Sequence, residues 1–474
     1  MKKYELTVGI EVHAELSTKT KIFCPCPTTF GALPNTQICP VCMGLPGTLP
    51  TLNRYAVEYA IKAGLATNCK ISKLSGIDRK NYYYPDLPKG YQISQHDRPI
   101  CHEGYVDIEC NGSRFRIGIE RIHIEEDAGK LIHGKDGKTL VDYNRCGIPL
   151  IEIVSKPNIH SPDQARAYLK KLRSILRTIQ ISDCKMNEGS LRCDVNVSIN
   201  DKTKNRPGER TEIKNLNSFS HAAKAIEYEY NRQCALLENN EKIIRQTLRY
   251  NDLSGKCEIM RSKESVLDYR YCSEPDLQDI FLTDDDISRI SSQMPPLPDE
   301  RKAAYIKMGL PDSDAELLSS NIELSDYFNR AEKLTDNKKT LSNLILTELL
   351  RLSDEEDFCC PIVPENLATL CDIFANERIN SSTAKKLLQL MWNDPTANPE
   401  EVVQREGLWQ INETNILLQL VKEVLQTNQK AINDFKNGKV SAMKSIIGKV
   451  MSASKGRANP RIVEELIRKE ANLS

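Results

Sequence analysis

Tyr4-Glu-Leu-Thr-Val-Gly-Ile-Glu-Val-His-Ala-Glu-Leu16 is the stretch that decides the fold of the first half of the chain. Apolar residues stand at every second position from Leu6 to Val12, and a β-strand places such residues on one face. The opposite face carries Glu11, His13 and Glu15. On this strand alone, these groups are best explained as the solvated face of a half-exposed strand. The alternative is that they hold a metal ion or a reacting phosphate, and the rest of the sequence supports it.

The length and composition limit the classes of protein to which the chain can belong. A chain of 474 residues with ordinary apolar content predicts two or three globular domains. Its formal net charge is zero, so the protein as a whole does not attract nucleic acid electrostatically. Any nucleic-acid site must therefore be a local charged patch. We expect a cytoplasmic protein without membrane contact, because the sequence shows neither a long apolar run nor a signal or transit segment. Most of the sixteen cysteines are scattered singly and act as small apolar residues.

Four of the cysteines follow the first strand in two close pairs. Cys24-Pro-Cys26 and Cys39-Pro-Val-Cys42 are separated by twelve residues, a pattern that can supply four thiolates to one zinc ion. Four unconnected thiols are the alternative, and the pairing favours zinc. A closed site of four thiolates is structural, so this ion would pin the loop 23–50 and take no part in the chemistry.

A loop rich in Tyr, Pro and Gly follows over residues 78–95. It carries Arg79, Lys80 and Lys89 beside aromatic residues. This composition indicates an ordered loop rather than the interior of a helix or strand. The segment is either a surface loop with ordinary charges or the wall of a passage that faces an anion.

The next strand shows a change of phase. Its apolar residues have odd numbers up to Ile119 and even numbers from Ile122 on, which predicts a β-bulge between them. Beyond the bulge, His123 and Glu125 share the polar face, and Glu126 follows. Because bulges often re-aim side chains near active sites, these residues are candidates for a site. An acidic strand end is the alternative.

Gly147-Ile-Pro-Leu-Ile-Glu-Ile-Val154 reads as a strand buried on both faces, with Glu152 in its middle. A buried carboxylate is costly unless it is protonated, ion-paired or bound to a metal. Arg145 is near in sequence and makes a buried ion pair a fair alternative. We favour the metal.

The remaining strands complete an α+β domain. Residues 191–199 alternate cleanly, with Arg192, Asp194 and Asn196 on the polar face, and residues 210–217 are similar. All seven histidines lie at or before His221, which weighs toward chemistry in the first half. We therefore predict a large domain over residues 1–293 built on an antiparallel sheet.

The second half is predicted to be helical. Met294-Pro-Pro-Leu-Pro298 is a natural linker, after which helical patterns predict an all-helical domain over residues 294–405. A small helical tail domain follows over residues 406–474. Residues 436–461 contain seven basic residues and no acidic one, so the tail is the best candidate for contact with a nucleic-acid backbone. A solvated lysine-rich helix is an equally good explanation by composition alone.

Long motifs, in order along the chain, resemble the B subunits of the bacterial GatCAB tRNA-dependent amidotransferases. The match runs from the first strand to the tail and is carried by Gly9-Ile-Glu-Val-His-Ala-Glu-Leu16, Asp78-Arg-Lys-Asn-Tyr-Tyr-Tyr-Pro-Asp86, Tyr91-Gln-Ile-Ser-Gln95, His123-Ile-Glu-Glu-Asp-Ala-Gly-Lys130, Pro149-Leu-Ile-Glu-Ile-Val154, Glu188-Gly-Ser-Leu-Arg-Cys-Asp194, Lys214-Asn-Leu-Asn-Ser-Phe219 and Ala453-Ser-Lys-Gly-Arg-Ala-Asn-Pro460. One departure is Cys272-Ser273, where the family usually has Phe-Pro; it bears on local packing rather than on the chemistry.

The resemblance implies a cradle-shaped first domain, a helical domain and a tRNA-binding tail. It also implies a heterotrimeric ligase with a glutaminase A subunit and a C subunit. That complex converts Asp-tRNA(Asn) or Glu-tRNA(Gln) to Asn-tRNA(Asn) or Gln-tRNA(Gln). The B subunit phosphorylates the side-chain carboxylate with ATP, and ammonia from the A subunit attacks the acyl phosphate. The sequence has no P-loop motif, so carboxylates must bind the metal that phosphoryl transfer needs.

We assign His13, Glu125 and Glu152 to Mg²⁺, with Glu11 in or beside the coordination sphere. A histidine is unusual for magnesium, so Mn²⁺ is the alternative in vitro. The resemblance implies that Lys80 and Lys89 lie along the ammonia route and that Glu126 lies near its end. The catalytic and tRNA-binding candidates are then Glu11, His13, Glu125, Glu126 and Glu152, and Lys444, Lys449, Lys455 and Arg457.

A second hypothesis belongs to another class of function. The chain would be a zinc-bearing tRNA-binding protein without catalysis of its own. Glu152 discriminates between the two, because a passive binding protein has no reason to keep a carboxylate inside an apolar strand.

Overall fold

The computed structural model describes residues 3–134, 136–201, 208–262, 268–353, 358–429, 440–454 and 456–470. The chain divides into two compact units, Met1–Pro298 and Asp299–Ser474. The second unit contains two separate hydrophobic clusters, one between Tyr305 and Val403 and one between Leu417 and Ile467. The division into three domains at residues 293 and 405 stays a prediction.

The first unit is an α+β fold, as expected. Its helices lie at Arg54–Ala66 (α1), Pro162–Thr178 (α2), Phe219–Glu238 (α3) and Asp284–Ser292 (α4). Its strands lie at Tyr4–Glu15 (β1), Lys70–Ile71 (β2), Leu74–Ser75 (β3), Asp78–Asn81 (β4), Tyr91–Ser94 (β5), Cys101–Cys110 (β6), Ser113–Glu126 (β7), Lys130–His133 (β8), Thr139–Asp142 (β9), Pro149–Ser155 (β10), Leu191–Asp201 (β11), Thr211–Lys214 (β12), Gln246–Asn251 (β13), Lys256–Ser262 (β14), Cys272–Ser273 (β15) and Ile280–Phe281 (β16).

A nine-stranded sheet organises this unit, in the order β14-β13-β12-β11-β1-β10-β7-β6-β2. All neighbouring pairs are antiparallel except β12 and β13, which are parallel. The first strand therefore lies in the middle of the sheet, with β11 on one side and β10 on the other. Three small sheets, β15-β4-β5, β16-β3 and β8-β9, accompany it.

The predicted alternation of β1 is confirmed. Every second side chain from Tyr4 to Ala14 is buried, and Glu11, His13 and Glu15 on the other face are half-buried. The helices α1, α2 and α3 contact strands of the large sheet and share one hydrophobic cluster with it. Helices thus cover one face of the sheet, and the polar face of β1 belongs to the other.

The predicted β-bulge is confirmed where β7 pairs with β10. Val154 pairs with Arg121 but Ser155 pairs with Ile119, so one residue of β7 is skipped. The skipped residue is Glu120, and the strand itself continues from Ser113 to Glu126. The shift allows odd-numbered residues before it and even-numbered residues after it to face the same apolar layer.

The predicted burial of β10 on both faces holds only in part. Pro149, Leu150 and Ile151 are buried, whereas Glu152 and Val154 are half-buried. The sheet face that carries Glu152 is therefore partly accessible in the middle of the strand. Cys272 and Ser273, the departure from the family pattern, form the short strand β15 and are exposed.

The second unit is helical, as predicted. Among its described residues no strand occurs, and an isolated bridge joins Ile411 and Ala458. A π-helical segment, Leu344–Leu349, continues from α8. The helices lie at Pro298–Lys307 (α5), Asp312–Ser320 (α6), Ile322–Ala331 (α7), Lys338–Asn343 (α8), Pro364–Ala375 (α9), Ser381–Asn393 (α10), Pro399–Arg405 (α11), Thr414–Thr427 (α12), Val440–Ala453 (α13) and Pro460–Glu470 (α14).

The tail packs three of these helices around one core. Met443, Ile446 and Val450 of α13 are buried, and their helical spacing predicted this. They belong to one hydrophobic cluster with residues of α12 and α14. The sequence also predicts a helix over residues 429–436, and this segment lies outside the described residues apart from Gln429. In the part of the chain that the structure covers, no helix combines the length and the apolarity needed to cross a membrane.

Candidate active site and zinc site

The register of three neighbouring strands brings His13, Glu125 and Glu152 together. His13 of β1 is the direct cross-strand partner of Glu152 in β10, which in turn is the partner of His123 in β7. The Nε2 atom of His13 lies 3.4 Å from a Glu152 oxygen and 3.6 Å from a Glu125 oxygen. One ligand atom from each of the three predicted residues falls within 4.8 Å of the others. This set, the first cluster, fits a divalent cation in size and charge; that it binds one stays a prediction.

His123 belongs to the same row and was not assigned from the sequence. Its Nε2 atom lies 3.4 Å from Glu152 and 3.8 Å from Glu125, and its side chain is only 5% exposed. Burial lowers the pKa of this imidazole, but the charge of Glu152 and a hydrogen bond with Glu125 outweigh burial and raise it to about 9. The sequence did place His123 on the face of Glu125, but only the register shows that both meet Glu152.

The charges of the first cluster depend on one another. The pKa of His13 is raised although burial opposes it, because its hydrogen bond with Glu152 and the charges of Glu152 and Glu125 favour the imidazolium. The pKa of Glu152 is held well below its usual range although burial opposes this, because His123 and His13 face the carboxylate. The carboxylates of this cluster therefore favour positive charge on the two imidazoles that face them.

A second cluster lies beside the first and consists of Glu11, Asp194 and Glu212. Ligand oxygens of these three residues also lie within 4.8 Å of one another. Glu11 and Asp194 are cross-strand partners in β1 and β11, and Glu212 comes from β12. That Glu11 lies in or beside the coordination sphere of the metal at His13 stays a prediction; the structure also groups Glu11 with two carboxylates that the sequence did not assign.

Lys214 and Asn196 hold the second cluster in place. The Lys214 ammonium contacts Asp194 and lies 3.0 Å from a Glu212 oxygen. The Asn196 amide donates a 2.9 Å hydrogen bond to Glu11. Burial raises the pKa of Glu11, and the negative charge of Glu152 in the first cluster adds to this. The two clusters therefore interact electrostatically, because Glu11 and His13 are neighbours on the same face of β1.

Arg145 does not pair with Glu152, so the structure lacks the buried pair considered as an alternative. Arg145 and Arg192 lie 3.3 Å and 2.7 Å from Asp127 instead. Asp127 in turn interacts with Glu15, the third ionisable residue of β1. Burial and the negative charge of Asp127 raise the pKa of Glu15 to about 8.

The two predicted channel lysines lie against different carboxylates. Lys89 Nζ lies 2.5 Å and 2.6 Å from the two oxygens of Glu126; Glu126 is buried and Lys89 is half-buried. Both residues line one pocket together with Cys42 and Gly147. Lys80 lies instead over the rings of Tyr82 and Tyr269. Burial lowers the pKa of Lys80, but the charges of Glu125 and Glu152 outweigh burial, and the pKa is raised. Lys80 therefore interacts electrostatically with the first cluster.

The four predicted zinc ligands come together. The Sγ atoms of Cys24, Cys26, Cys39 and Cys42 lie within 4.8 Å of one another. A hydrogen bond with Cys24 lowers the pKa of the Cys42 thiol to about 4. The backbone N–H of Cys39 also donates to Cys42 Sγ, at 3.2 Å. Four converging sulfur atoms, one of them poised as a thiolate, fit a structural zinc ion.

The structure describes three of the four residues that are predicted to contact tRNA. Lys444 and Lys449 are exposed on α13, and Lys449 contacts the Asn428 side chain. Arg457 is half-buried and donates a 3.0 Å hydrogen bond to the Gly407 carbonyl. Lys455 lies outside the described residues. Their role in tRNA binding stays a prediction.

Comparison with known proteins assigns the family. Residues 6–288 match the family described as the GatB/GatE catalytic domain, and residues 326–470 match the GatB domain. The chain is 49% identical over 476 residues to the B subunit of the aspartyl/glutamyl-tRNA(Asn/Gln) amidotransferase of Caldicellulosiruptor bescii, covering 99% of both chains. It is 48% identical over 469 residues to the protein of the same name from Thermodesulfovibrio yellowstonii, covering 98% of both. The chain therefore belongs to the family of the B subunits of aspartyl/glutamyl-tRNA(Asn/Gln) amidotransferases.

Proposed function

We propose that this chain is the kinase and amide-forming subunit of an amidotransferase that acts on Asp-tRNA(Asn), Glu-tRNA(Gln) or both. A side-chain carboxylate oxygen of the misacylated tRNA attacks the γ-phosphorus of ATP, and ADP leaves. Ammonia then attacks the carbonyl carbon of the acyl phosphate, and inorganic phosphate leaves as the amide forms. The family membership and the names of full-length relatives support this reaction.

The observation that carries the proposal is the pair of adjacent clusters on one face of the sheet. We assign the first cluster, His13, Glu125 and Glu152, to one divalent cation and Glu11, Asp194 and Glu212 to a second. Bound Mg²⁺ or Mn²⁺ would offset the charge of the ATP phosphates, which phosphoryl transfer requires. Manganese is the more favourable ion for in vitro work, because imidazole is an uncommon magnesium ligand.

Fixed positive charges of the chain support the same step. The Lys214 ammonium contacts the second cluster, and Lys80 lies within the field of the first. Such side chains position the phosphates and stabilise charge without moving protons during the step. A histidine binds a cation through a neutral imidazole, and the pKa of His13 is raised, so metal affinity is expected to rise with pH.

We propose that Glu126 and Lys89 serve the ammonia step. Ammonium is not a nucleophile, so a base must take a proton from it near the acyl phosphate. Glu126 is a buried carboxylate beside the half-buried Lys89, and both line the pocket described above. Glu126→Gln should retain tRNA-dependent ATP cleavage while amide formation from glutamine falls; equal losses in both would contradict this role.

The partners follow from the reaction. We propose that a glutaminase A subunit supplies ammonia and that a C subunit completes the heterotrimer, since the relatives are named as B subunits. The basic tail would contact the tRNA backbone through Lys444, Lys449, Lys455 and Arg457. We place the reaction in the cytoplasm, where tRNA is aminoacylated and where the sixteen cysteines would remain reduced.

The experiment that tests the proposal isolates the kinase step. The assembled complex is incubated with α-labelled ATP and misacylated tRNA, without a nitrogen donor, and the release of labelled ADP is measured. Correctly acylated Gln-tRNA(Gln) is the matched control, because its side chain has no carboxylate to phosphorylate. Rapid ADP release with the misacylated tRNA alone is expected. Equal, slow ATP cleavage with both tRNAs would refute the proposed function.

A further inference from the structure

Lys21 is a buried lysine that neither cation cluster uses. Its side chain is only 1% exposed, and an ammonium ion is costly to bury without a compensating negative group. Its Nζ atom lies 3.7 Å from Cys42 Sγ and 3.2 Å from the Tyr143 carbonyl oxygen. Within the described part of the chain, no carboxylate lies within ion-pair distance of Nζ. Of the two atoms that Nζ contacts, the sulfur is the one that can carry a full negative charge.

We propose that Lys21 is a built-in counter-cation of the zinc site. One Zn²⁺ ion and four thiolates carry a net charge of minus two, and the ammonium beside Cys42 offsets one of these charges. A neutral thiol would leave the buried ammonium uncompensated, so the lysine and the metal-bound thiolate favour each other. The inference rests on zinc at the four cysteines and does not depend on the reaction proposed above.

Lys21 also connects the zinc loop to the strand that carries Glu152. Its own backbone N–H donates to the Cys26 carbonyl at 2.9 Å, inside the loop. The next residue, Ile22, donates to the Gly147 carbonyl at 2.9 Å, and the lysine head reaches Tyr143 in the same turn. This turn leads directly into β10. Lys21 is thus a positioning residue that contacts both the zinc loop and the turn before β10.

The test compares Lys21→Met with Lys19→Met in the full-length chain. Methionine keeps the length of the side chain and removes the charge, and Lys19 is an exposed lysine of the same segment. Zinc affinity is measured by competition with a chromophoric chelator at fixed pH. Lys21→Met should bind zinc about 10–100-fold more weakly than the wild type, as for other groups that support metal ligands. Lys19→Met should bind zinc with unchanged affinity.

Cobalt substitution gives a readout that a purely structural role would not move. Removing a positive charge from the thiolates raises their energy, so the thiolate-to-cobalt absorption bands should shift to longer wavelength in Lys21→Met. The bands of Lys19→Met should coincide with those of the wild type. Should Lys21→Met not fold, Lys21→Gln, which keeps an N–H donor without charge, is measured in the same way.

Two results would overturn the inference. Zinc affinity and cobalt bands in the neutral variant that match the wild type would show that the ammonium does not act on the thiolates. A wild-type chain that binds no zinc would remove the site itself. Neither result bears on tRNA-dependent ATP cleavage, so failure here is distinguishable from failure of the proposed function.

Discussion

Glu152→Gln is the substitution that tests the first cluster most directly, because it keeps the shape of the side chain and removes its charge. His123 serves as an internal gauge of the field at this position. Burial lowers the pKa of His123, yet Glu152 and Glu125 raise it from 6.5 to about 9. At 1.36 kcal/mol per pKa unit this corresponds to about 3 kcal/mol, or a factor of about 300. A divalent cation carries twice the charge of an imidazolium, so the variant should bind it at least about 10²-fold more weakly.

The assay measures ADP release and amide formation by the assembled complex at limiting Mg²⁺. Both should fall by at least about 10²-fold in Glu152→Gln, and ammonium chloride should not rescue amide formation, because the acyl phosphate never forms. Excess Mg²⁺ or Mn²⁺ should restore part of the rate by mass action. Glu109→Gln is the matched control, since Glu109 lies in the same sheet and forms an exposed ion pair with Arg114.

The fold of the variant must be checked separately. Zinc content, tRNA affinity and assembly with the partner subunits should be those of the wild type, because Glu152 contacts none of the four cysteines and lies outside the tail. Near-normal activity of Glu152→Gln at limiting metal, with either nitrogen donor, would refute the assignment of this residue to the cation. It would leave the carboxylate as a partner of the two histidines only.

Three further predictions concern the zinc site, the tail and His123. Cys39→Ser should lower the zinc content from about one ion per chain, measured by elemental analysis, and an equally stable zinc-free wild type would contradict the zinc site. Deleting the residues after Glu406 should weaken tRNA binding and its salt dependence while glutaminase activity of the complex is retained; unchanged tRNA affinity at moderate salt would contradict the tail contact. In magnesium-free protein, the raised pKa of His123 contributes up to about 3 kcal/mol of stability that is fully present below pH 6.5 and is lost as the pH rises through about 9. Urea unfolding should show this loss, and it should be smaller in His123→Gln.

Much of the fold could be predicted because the local patterns are strong. The alternation in β1 predicted which side chains face the helices, and the change of phase near Glu120 predicted the position of the bulge in β7. The four cysteines could be assigned to one site from their spacing alone. These signals depend on neighbours along the chain, so no knowledge of distant contacts was needed.

The second cluster could not be predicted in this way. Asp194 was placed on the polar face of its strand, but nothing local shows that β11 lies beside β1 or that β12 follows it in the sheet. Glu212 lies in a four-residue strand whose pattern is equally consistent with a plain exposed face. Its place near Glu11 depends on strand order and register, which long-range pairing decides.

The arrangement along β1 is consistent with the proposal that the two clusters serve a single site. Glu11 and His13 are two residues apart on one face, so their α carbons lie about 7 Å from each other at 3.3 Å per residue. Glu11 is the cross-strand partner of Asp194 on one side of β1, and His13 is the partner of Glu152 on the other side. In the proposed function, the triphosphate of ATP would lie across β1 and reach both clusters. This placement predicts that a β1 variant such as Glu11→Gln weakens nucleotide binding without changing the first cluster's histidine–carboxylate contacts. Retention of full ATP affinity in Glu11→Gln, measured with Mn²⁺ present, would show that the nucleotide does not span the strand.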